Sequence, residues 1–242
     1  MKYVASVSFG KDSTTMLLML IEKQWPLDEI VFYNTGMEFD AVYRIRDQLL
    51  PVLKEHNIKF VELYPRRPFL FDMFDRKIKY RNKPGYHYGF SWCGGRCRWH
   101  THQKQDRIRE YKKSLGDDVI DYIGIASDEL PRIERNSTNG KRLPLVELGM
   151  TEQMCLDLCE SRGYRWIEYG TNGEEIDLYQ VLKRVSCWCC ANKNLEELRN
   201  IYHYLPKYWN RLKFLQKRTE RPMKQYGSVF DLEERFKSEE QK

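Results

Sequence analysis

A β-branched and aromatic run, Tyr3-Val4-Ala5-Ser6-Val7, passes through the short polar stretch Ser8-Phe9-Gly10-Lys11-Asp12-Ser13 into the apolar run Met16-Leu17-Leu18-Met19-Leu20-Ile21. Runs this uniformly apolar belong inside a protein, so a buried strand, a tight turn and a buried helix are expected. The pattern then recurs. Residues 29–33 read as a second strand ending at Asn34-Thr35-Gly36, 39–54 as a helix and 59–63 as a third strand. Strands alternating with helices at this spacing need right-handed crossovers, which predicts a doubly wound α/β fold with a parallel sheet covered on both faces.

Further along, 69–79 has a helical pattern, and 80–95 is a loop dense in glycine, proline and aromatics. A helix over 99–115, a strand over 119–125 and a polar loop over 126–141 follow. Thr151 and Glu152 open another helix that runs to about 162, and 195–217 reads as helical with a break near Pro206. The tail from Ser228 reads as a frayed helix. At 242 residues and 41% hydrophobic content, the chain can bury one sizeable core with a smaller appendage. We divide it into a nucleotide-binding α/β domain, 1–150, and a small helical C-terminal part, 151–242, that carries a cysteine cluster and a basic helix.

Charge and cysteine content narrow the function. The formal net charge is +6, yet residues 207–224 alone hold seven cations, Lys207, Arg211, Lys213, Lys217, Arg218, Arg221 and Lys224, against Glu220. A second basic stretch spans 96–113. Such runs suit polyanions, although a solvated helix face has the same composition. No charged leader or bilayer-length apolar run is present, which implies a cytoplasmic protein without a membrane partner. Seven cysteines in that compartment suggest metal ligation or thiol chemistry rather than disulfides.

The turn after the first strand lies where open parallel sheets bind ligands, at a helix N-terminus whose N–H groups favour anions. Gly10 lets the backbone approach a phosphate, Lys11 can neutralise it, and the Ser8 and Ser13 hydroxyls can donate to it. Asp12 suits Mg²⁺ or a backbone anchor, since it would repel phosphate. An ordinary strand-to-helix turn capped by Ser13 remains the alternative.

These residues resemble the PP-loop, S-G-G-K-D-S, of the ATP pyrophosphatase superfamily (adenine nucleotide alpha hydrolase-like), with Phe9 replacing one glycine. "YNTGMEFD" resembles the D-T-G-x-E-F segment of the phosphoadenosine-phosphosulfate (PAPS) reductase family, with Asn34 for the aspartate. "IGIASDELPRIER" is similar to its G-I-x-x-D-E-x-x-R, and "LPLVELGMTEQMCLDLC" to its Y-P-L-x-x-x-G-x-T-E. "VSCWCCANKNLEELR" resembles the S-C-W-C-C-P of a PAPS reductase-like branch, with Ala191 for proline. The resemblance implies the HUP type of α/β fold and ATP cleaved between its α and β phosphates. Ser8, Phe9, Gly10, Lys11, Asp12, Ser13, Asn34, Thr35 and Gly36 would then bind the nucleotide, and Lys11, Asp12, Asp128, Glu129 and Arg132 would serve catalysis.

Cys187 and Cys190 form a C-x2-C pair around Cys189, a spacing that chelates one metal. Cys93 and Cys97 form a C-x3-C pair in the glycine-rich loop, and Cys155 and Cys159 share a helix face. Cys155 has an apolar flank and reads as packing. His100 and His102 read as bystanders. The resemblance to iron–sulfur sulfonucleotide reductases implies ligands Cys93, Cys187 and Cys190 with Cys159 as the fourth and Cys97 as its rival. Thiolate ligands accept a [4Fe–4S] cluster or Zn²⁺ equally.

Three functions compete. The first is ATP-dependent adenylylation of an acceptor for sulfur transfer, near the DNA phosphorothioation sulfur-transfer proteins; DNA or tRNA would be the acceptor and a cysteine desulfurase the donor. The second is sulfonucleotide (APS/PAPS) reduction, which such reductases perform with a C-terminal cysteine; no cysteine follows Cys190 in this sequence. The third is a zinc-stabilised nucleic-acid-binding module with a degenerate nucleotide site. Retained charges at Lys11, Asp12, Asp128, Glu129 and Arg132 argue against that degeneracy, because like charges among them repel one another in an empty pocket.

Overall fold

In a computed structural model, which describes residues 1–93, 97, 102–136 and 140–240, the chain opens β1 (Lys2–Ser6), α1 (Lys11–Glu22), β2 (Glu29–Tyr33), α2 (Asp40–Glu55) and β3 (Lys59–Leu63). A π-type turn, Phe71–Asp75, precedes β4 (Lys77–Lys79) and β5 (Tyr86–Tyr88). Next come α3 (Gln103–Ser114), β6 (Val119–Ile123), α4 (Leu130–Asn136), β7 (Lys141–Arg142), α5 (Pro144–Glu147) and α6 (Glu152–Ser161). The remainder holds β8 (Ile167–Tyr169), β9 (Glu175–Asp177), α7 (Leu178–Val181), α8 (Leu195–Tyr204), α9 (Pro206–Lys217) and α10 (Val229–Glu240).

These elements form two compact units. Met1–Asn34, Asp40–Tyr64 and Gln105–Trp166 make the first, and Thr35–Phe39, Pro65–Lys104 and Ile167–Lys242 the second. The units are drawn differently from a linear division at residue 150, because α6 packs on α1 and Trp166 is buried in the first unit.

The first unit holds a five-stranded sheet in the order β3-β2-β1-β6-β7, with every pair parallel. This is the α/β architecture expected from the alternating runs. Every residue of β2 is buried, as a parallel strand covered on both faces requires. On one face Val4, Val31, Tyr33 and Leu63 pack with Ile108 and Tyr111 of α3. Chain order switches direction at β1, whose neighbours are β2 and β6. The crevice beyond the ends of β1 and β6 is therefore the place for a ligand.

The turn leaving β1 has an unusual backbone. Phe9 adopts φ 56°, a left-handed conformation that costs a residue with a Cβ about 1–2 kcal/mol. Its ring offsets that cost: it is fully buried, edge-on to Phe32 at 5.0 Å and 6.2 Å from Phe60. Trp166 Nε1 donates to the Phe9 carbonyl at 2.7 Å. Gly124, just after β6, lies so close that a Cβ there would meet Ser13 Cα at 2.9 Å.

In the second unit the helix expected over 69–79 is cut short at Asp75, its last five residues forming the π-type turn Phe71–Asp75, and β4 follows. Asp72 is fully buried and takes Arg67 at 2.9 Å, Arg76 at 3.7 Å and Gln103, so the local pattern yields to a buried charge that must be paired. The break at Pro206 separates α8 from α9 as expected. The tail is no frayed end: α10 buries Val229, Leu232 and Phe236, and Glu233 binds Lys213 at 2.9 Å. The start of the helix expected over 99–115 lies outside the described residues. The polar loop expected over 126–141 contains α4 and the start of the two-residue β7, which pairs with β6.

Phe9→Ala removes a fully buried ring and is expected to cost about 3–5 kcal/mol in urea unfolding. Trp166→Phe, which strands one buried carbonyl, is expected to cost about 1–3 kcal/mol. Wild-type stability in either variant would show that the turn does not depend on these interactions.

Candidate active site

Ser13 ties the β1–α1 turn together. Its hydroxyl accepts from the Ser8 N–H at 3.1 Å and donates to the Gly10 carbonyl at 3.1 Å, and the Ser8 and Ser13 hydroxyl oxygens lie 3.1 Å apart. Gly10 is the N-cap residue of α1, and no side chain caps that helix. Ser8 is exposed while Phe9 and Ser13 are buried, so the turn faces outward with the Ser8 hydroxyl and inward with its ring.

Lys11 is 8% exposed. Its ammonium lies 2.7 Å from Asp12 Oδ1 and 3.3 Å from Glu152 Oε1. Carboxylate oxygens of Asp12, Glu129 and Glu152 all fall within 4.8 Å of one another, and among the described residues they are the sole such set able to hold a cation. Burial alone would lower the Lys11 pKa, but Asp12 and Glu152 outweigh it and raise it. Burial raises the Asp12 carboxyl, and Glu152 and Glu129 push it further up against the opposing pull of Lys11. Both partners rise because one ammonium is shared among crowded carboxylates. Arg132 takes the Glu129 carboxylate through both oxygens.

Sequence reasoning passed over Glu152 as a site residue. The signal was present in the T-E pair of residues 151 and 152, where Thr151 caps α6 and Glu152 begins it. Asp128, by contrast, accepts the Glu152 N–H at 3.1 and 3.3 Å from its two oxygens, so it positions the start of α6. The structure thus brings Lys11, Asp12, Glu129, Arg132 and Glu152 together, with Asp128 behind them.

Asn34 also belongs to the first unit. Its Nδ2 donates to Glu62 Oε1 at 2.8 Å, its Oδ1 accepts from the Tyr43 hydroxyl at 2.9 Å, and Arg46 binds the same Glu62 at 3.1 Å. An aspartate could not donate to Glu62, which explains the amide at this position. Thr35 and Gly36 belong to the second unit. The Thr35 hydroxyl donates to Glu38 Oε1 at 2.9 Å and accepts the Met37 N–H at 3.0 Å.

The cysteines fall into two environments. Cys155 and Cys159 are buried in the first unit. Thr15 Oγ1 donates to the Cys155 carbonyl at 2.8 Å and lies 3.2 Å from the Cys159 sulfur, which donates to the Lys11 carbonyl at 3.6 Å. Burial pushes the Cys155 thiol up to about 12 and the Cys159 thiol up to about 11. Cys159, expected as a metal ligand, is buried in the first unit beside Thr15. Cys93, Cys97, Cys187, Cys189 and Cys190 all lie in the second unit. The Cys187 thiol donates to Glu38 Oε1 at 3.7 Å. Loss of solvent, then Glu38, Cys189 and Cys190, hold it well above the thiol range. Loss of solvent raises Cys189 too, with Cys190, Glu38 and Cys97 adding. The loop is anchored by the Trp188 N–H on the Met37 carbonyl at 3.1 Å and by Lys224 on the carbonyls of Ala191, at 2.6 Å, and Lys193.

The basic stretch at 207–224 is largely engaged within the second unit. Lys213 pairs with Glu233 and Arg218 with Asp75 at 3.3 Å, Lys224 caps the cysteine loop, and Arg211 covers the rings of Trp188 and Tyr208. In the other stretch Arg107 binds Glu110 at 3.1 Å and Lys112 binds Asp121; Arg96 and His100 lie outside the described residues. Among the described residues no helix is long and apolar enough to cross a membrane.

Residues 2–80, about a third of the chain, match the phosphoadenosine phosphosulfate reductase domain, so the superfamily placement holds over the segment carrying the β1–α1 turn. An uncharacterized protein of Methanocaldococcus jannaschii is 23% identical over 219 residues, which cover 86% of this chain and 40% of that relative. The chain therefore spans well under half the relative's length.

In a carbon-detected carboxyl titration, Asp12 is expected to titrate above an unfolded-peptide aspartate. Glu152→Gln removes one like charge and leaves Lys11 to Asp12, so the midpoint should fall. An unchanged midpoint would show that these carboxylates do not interact.

Proposed function

We propose, for a chain whose residues 2–80 resemble a phosphoadenosine phosphosulfate reductase domain, that the first unit is a PP-loop enzyme which adenylylates an acceptor with ATP for sulfur transfer. The observation that carries this reading is the buried Lys11 ammonium held by Asp12 and Glu152 beside an uncapped helix N-terminus. An acceptor oxygen would attack the α-phosphorus, the bond to the bridging oxygen would break, and pyrophosphate would leave with the electron pair. A sulfur nucleophile would then displace AMP. Lys11, the Ser8 and Ser13 hydroxyls and the first N–H groups of α1 would meet the charge that develops on the phosphate. Arg132 would keep Glu129 turned into the cluster.

The acidic cluster supports a requirement for Mg²⁺. Three carboxylates against Lys11 and Arg132 leave the site net negative, which disfavours bare polyphosphate. Hard oxygen donors gathered this closely fit the ion. Asp12, Glu129 and Glu152 would hold it, and it would neutralise phosphate charge when bound. In the second unit, the C-x2-C spacing of Cys187 and Cys190, with Cys93 and Cys97 in the same unit, supports a thiolate-held centre. Cys93, Cys97, Cys187 and Cys190 are our ligand set. A [4Fe–4S] cluster there would offer a place for sulfide, and Zn²⁺ would supply a structural crosslink. DNA or tRNA as acceptor and a cysteine desulfurase as donor complete the reading.

Pyrophosphate release from ATP is expected to need Mg²⁺, to stop with EDTA and to fall about 100-fold or more in Lys11→Met. Sulfite release from adenylyl sulfate with thioredoxin, without pyrophosphate formation from ATP, would overturn adenylylation in favour of reduction. In anaerobic metal analysis, Cys190→Ala is expected to lose iron or zinc while Cys159→Ala keeps it; loss in Cys159→Ala alone would reverse the ligand assignment.

A further inference from the structure

The ribbon of β4 and β5 has no part in the chemistry above. Residues 77–88 read Lys-Ile-Lys-Tyr-Arg-Asn-Lys-Pro-Gly-Tyr-His-Tyr, with four lysines and arginines and no carboxylate. The antiparallel register sets Lys77 opposite Tyr88, Ile78 opposite His87 and Lys79 opposite Tyr86. Because side chains alternate across a ribbon, Lys77, Lys79, Tyr86 and Tyr88 share one face. Burial agrees: those four are exposed, while Ile78 and His87 are half-buried. Tyr86 keeps 54% and Tyr88 67% of its surface open. The Lys77 ammonium lies 4.4 Å from the centre of the Tyr86 ring, and Arg81 and Lys83 extend the charge around the exposed tip.

The base of this ribbon is firmly set. Gly89 has φ 64°, and a Cβ there would meet the Met73 carbonyl oxygen at 2.0 Å. The Gly89 N–H donates to the Arg76 carbonyl at 2.8 Å, and those of Phe90 and Ser91 donate to the carbonyls of Asp72 and Met73 at 3.0 and 2.8 Å. The buried Asp72 with its arginines pins the same turn. The tyrosines therefore project from a fixed platform, which lowers the entropic cost of binding.

Tyr86 and Tyr88, two residues apart on one strand, stand about 7 Å apart along it. Exposed aromatic rings interleaved with cations ask for a ligand that has both flat apolar faces and a repeating negative charge. Unpaired bases on a phosphodiester chain have both. A duplex hides its base faces in the stack, and an acidic polypeptide has charge without the faces. We propose that the β4–β5 ribbon binds single-stranded nucleic acid, with Tyr86 and Tyr88 stacking on bases and Lys77, Lys79, Arg81 and Lys83 meeting phosphates. The platform works without ATP and stands or falls separately from adenylylation.

Fluorescence anisotropy of the full chain, with no nucleotide present, tests this using a short labelled DNA strand, its RNA counterpart, the same DNA as a duplex, and polyglutamate as competitor. At least one of the single strands is expected to bind, more weakly as salt rises, and the two arms tell which sugar the ribbon accepts. Tyr86→Ala with Tyr88→Ala should weaken binding roughly tenfold or more at an unchanged salt slope, whereas the Phe pair should retain it. Lys77→Ala with Lys79→Ala should flatten the log–log salt slope by about 0.7 for each phosphate that is no longer neutralised. All four side chains are exposed, so the melting temperature should hold in each variant. Wild-type affinity in the alanine pair, equal affinity for the duplex, competition by polyglutamate at matched charge, or binding of neither strand would each overturn the proposal.

Discussion

The left-handed turn at Phe9 is the constraint on which the candidate site rests. A parallel strand must hand its chain to a helix within a few residues, and the direction of that handover decides which groups face the ligand crevice. Glycine would make the turn without strain. Here a phenyl ring makes it instead, wedged against Phe32 and Phe60, with Trp166 holding the carbonyl. The anchor arrives from far along the sequence, so the turn is completed only once α6 and the residues after it have packed on α1. Site and core are therefore structurally coupled through Trp166.

Once the turn is set, charge decides the rest. Lys11 begins the helix and is buried; an unpaired ammonium there would be costly, and Asp12 and Glu152 supply its partners. Those partners crowd Glu129, whose own excess charge Arg132 takes up. Each group is placed by the need to neutralise the one before it. The chain of dependence runs outward from the buried lysine to exposed Arg132.

Much of this was legible in the sequence, and the gaps have physical causes. The first strands of the central sheet could be read because short runs rich in β-branched and aromatic residues alternate with helical runs. Strand β7 could not, since two polar residues join the sheet through main-chain pairing with β6 alone. The turn Phe71–Asp75 was read as a full helix because a helical pattern does not show that Asp72 will be buried and must gather arginines from both sides. Lys11, Asp12, Glu129 and Arg132 were legible as a set of motif residues. Glu152 was marked by the T-E pair, but its contact with Lys11 becomes visible only in the tertiary structure. The run at 207–224 looked like a charged stripe because its partners Asp75 and Glu233 lie outside it.

The cysteines show how one side chain takes opposite roles by its neighbours. In the first unit Cys155 and Cys159 are buried beside the Thr15 hydroxyl, where loss of solvent penalises ionisation. They behave as small hydrophobes with a weak S–H donor. In the second unit Cys187 is set against Glu38 with Cys189 and Cys190 nearby, and Thr35 donates to that carboxylate rather than taking its place. A chain gains no packing advantage from crowding thiols around a carboxylate. The two environments thus differ in what surrounds the thiol, a threonine hydroxyl in one and a carboxylate with further thiols in the other.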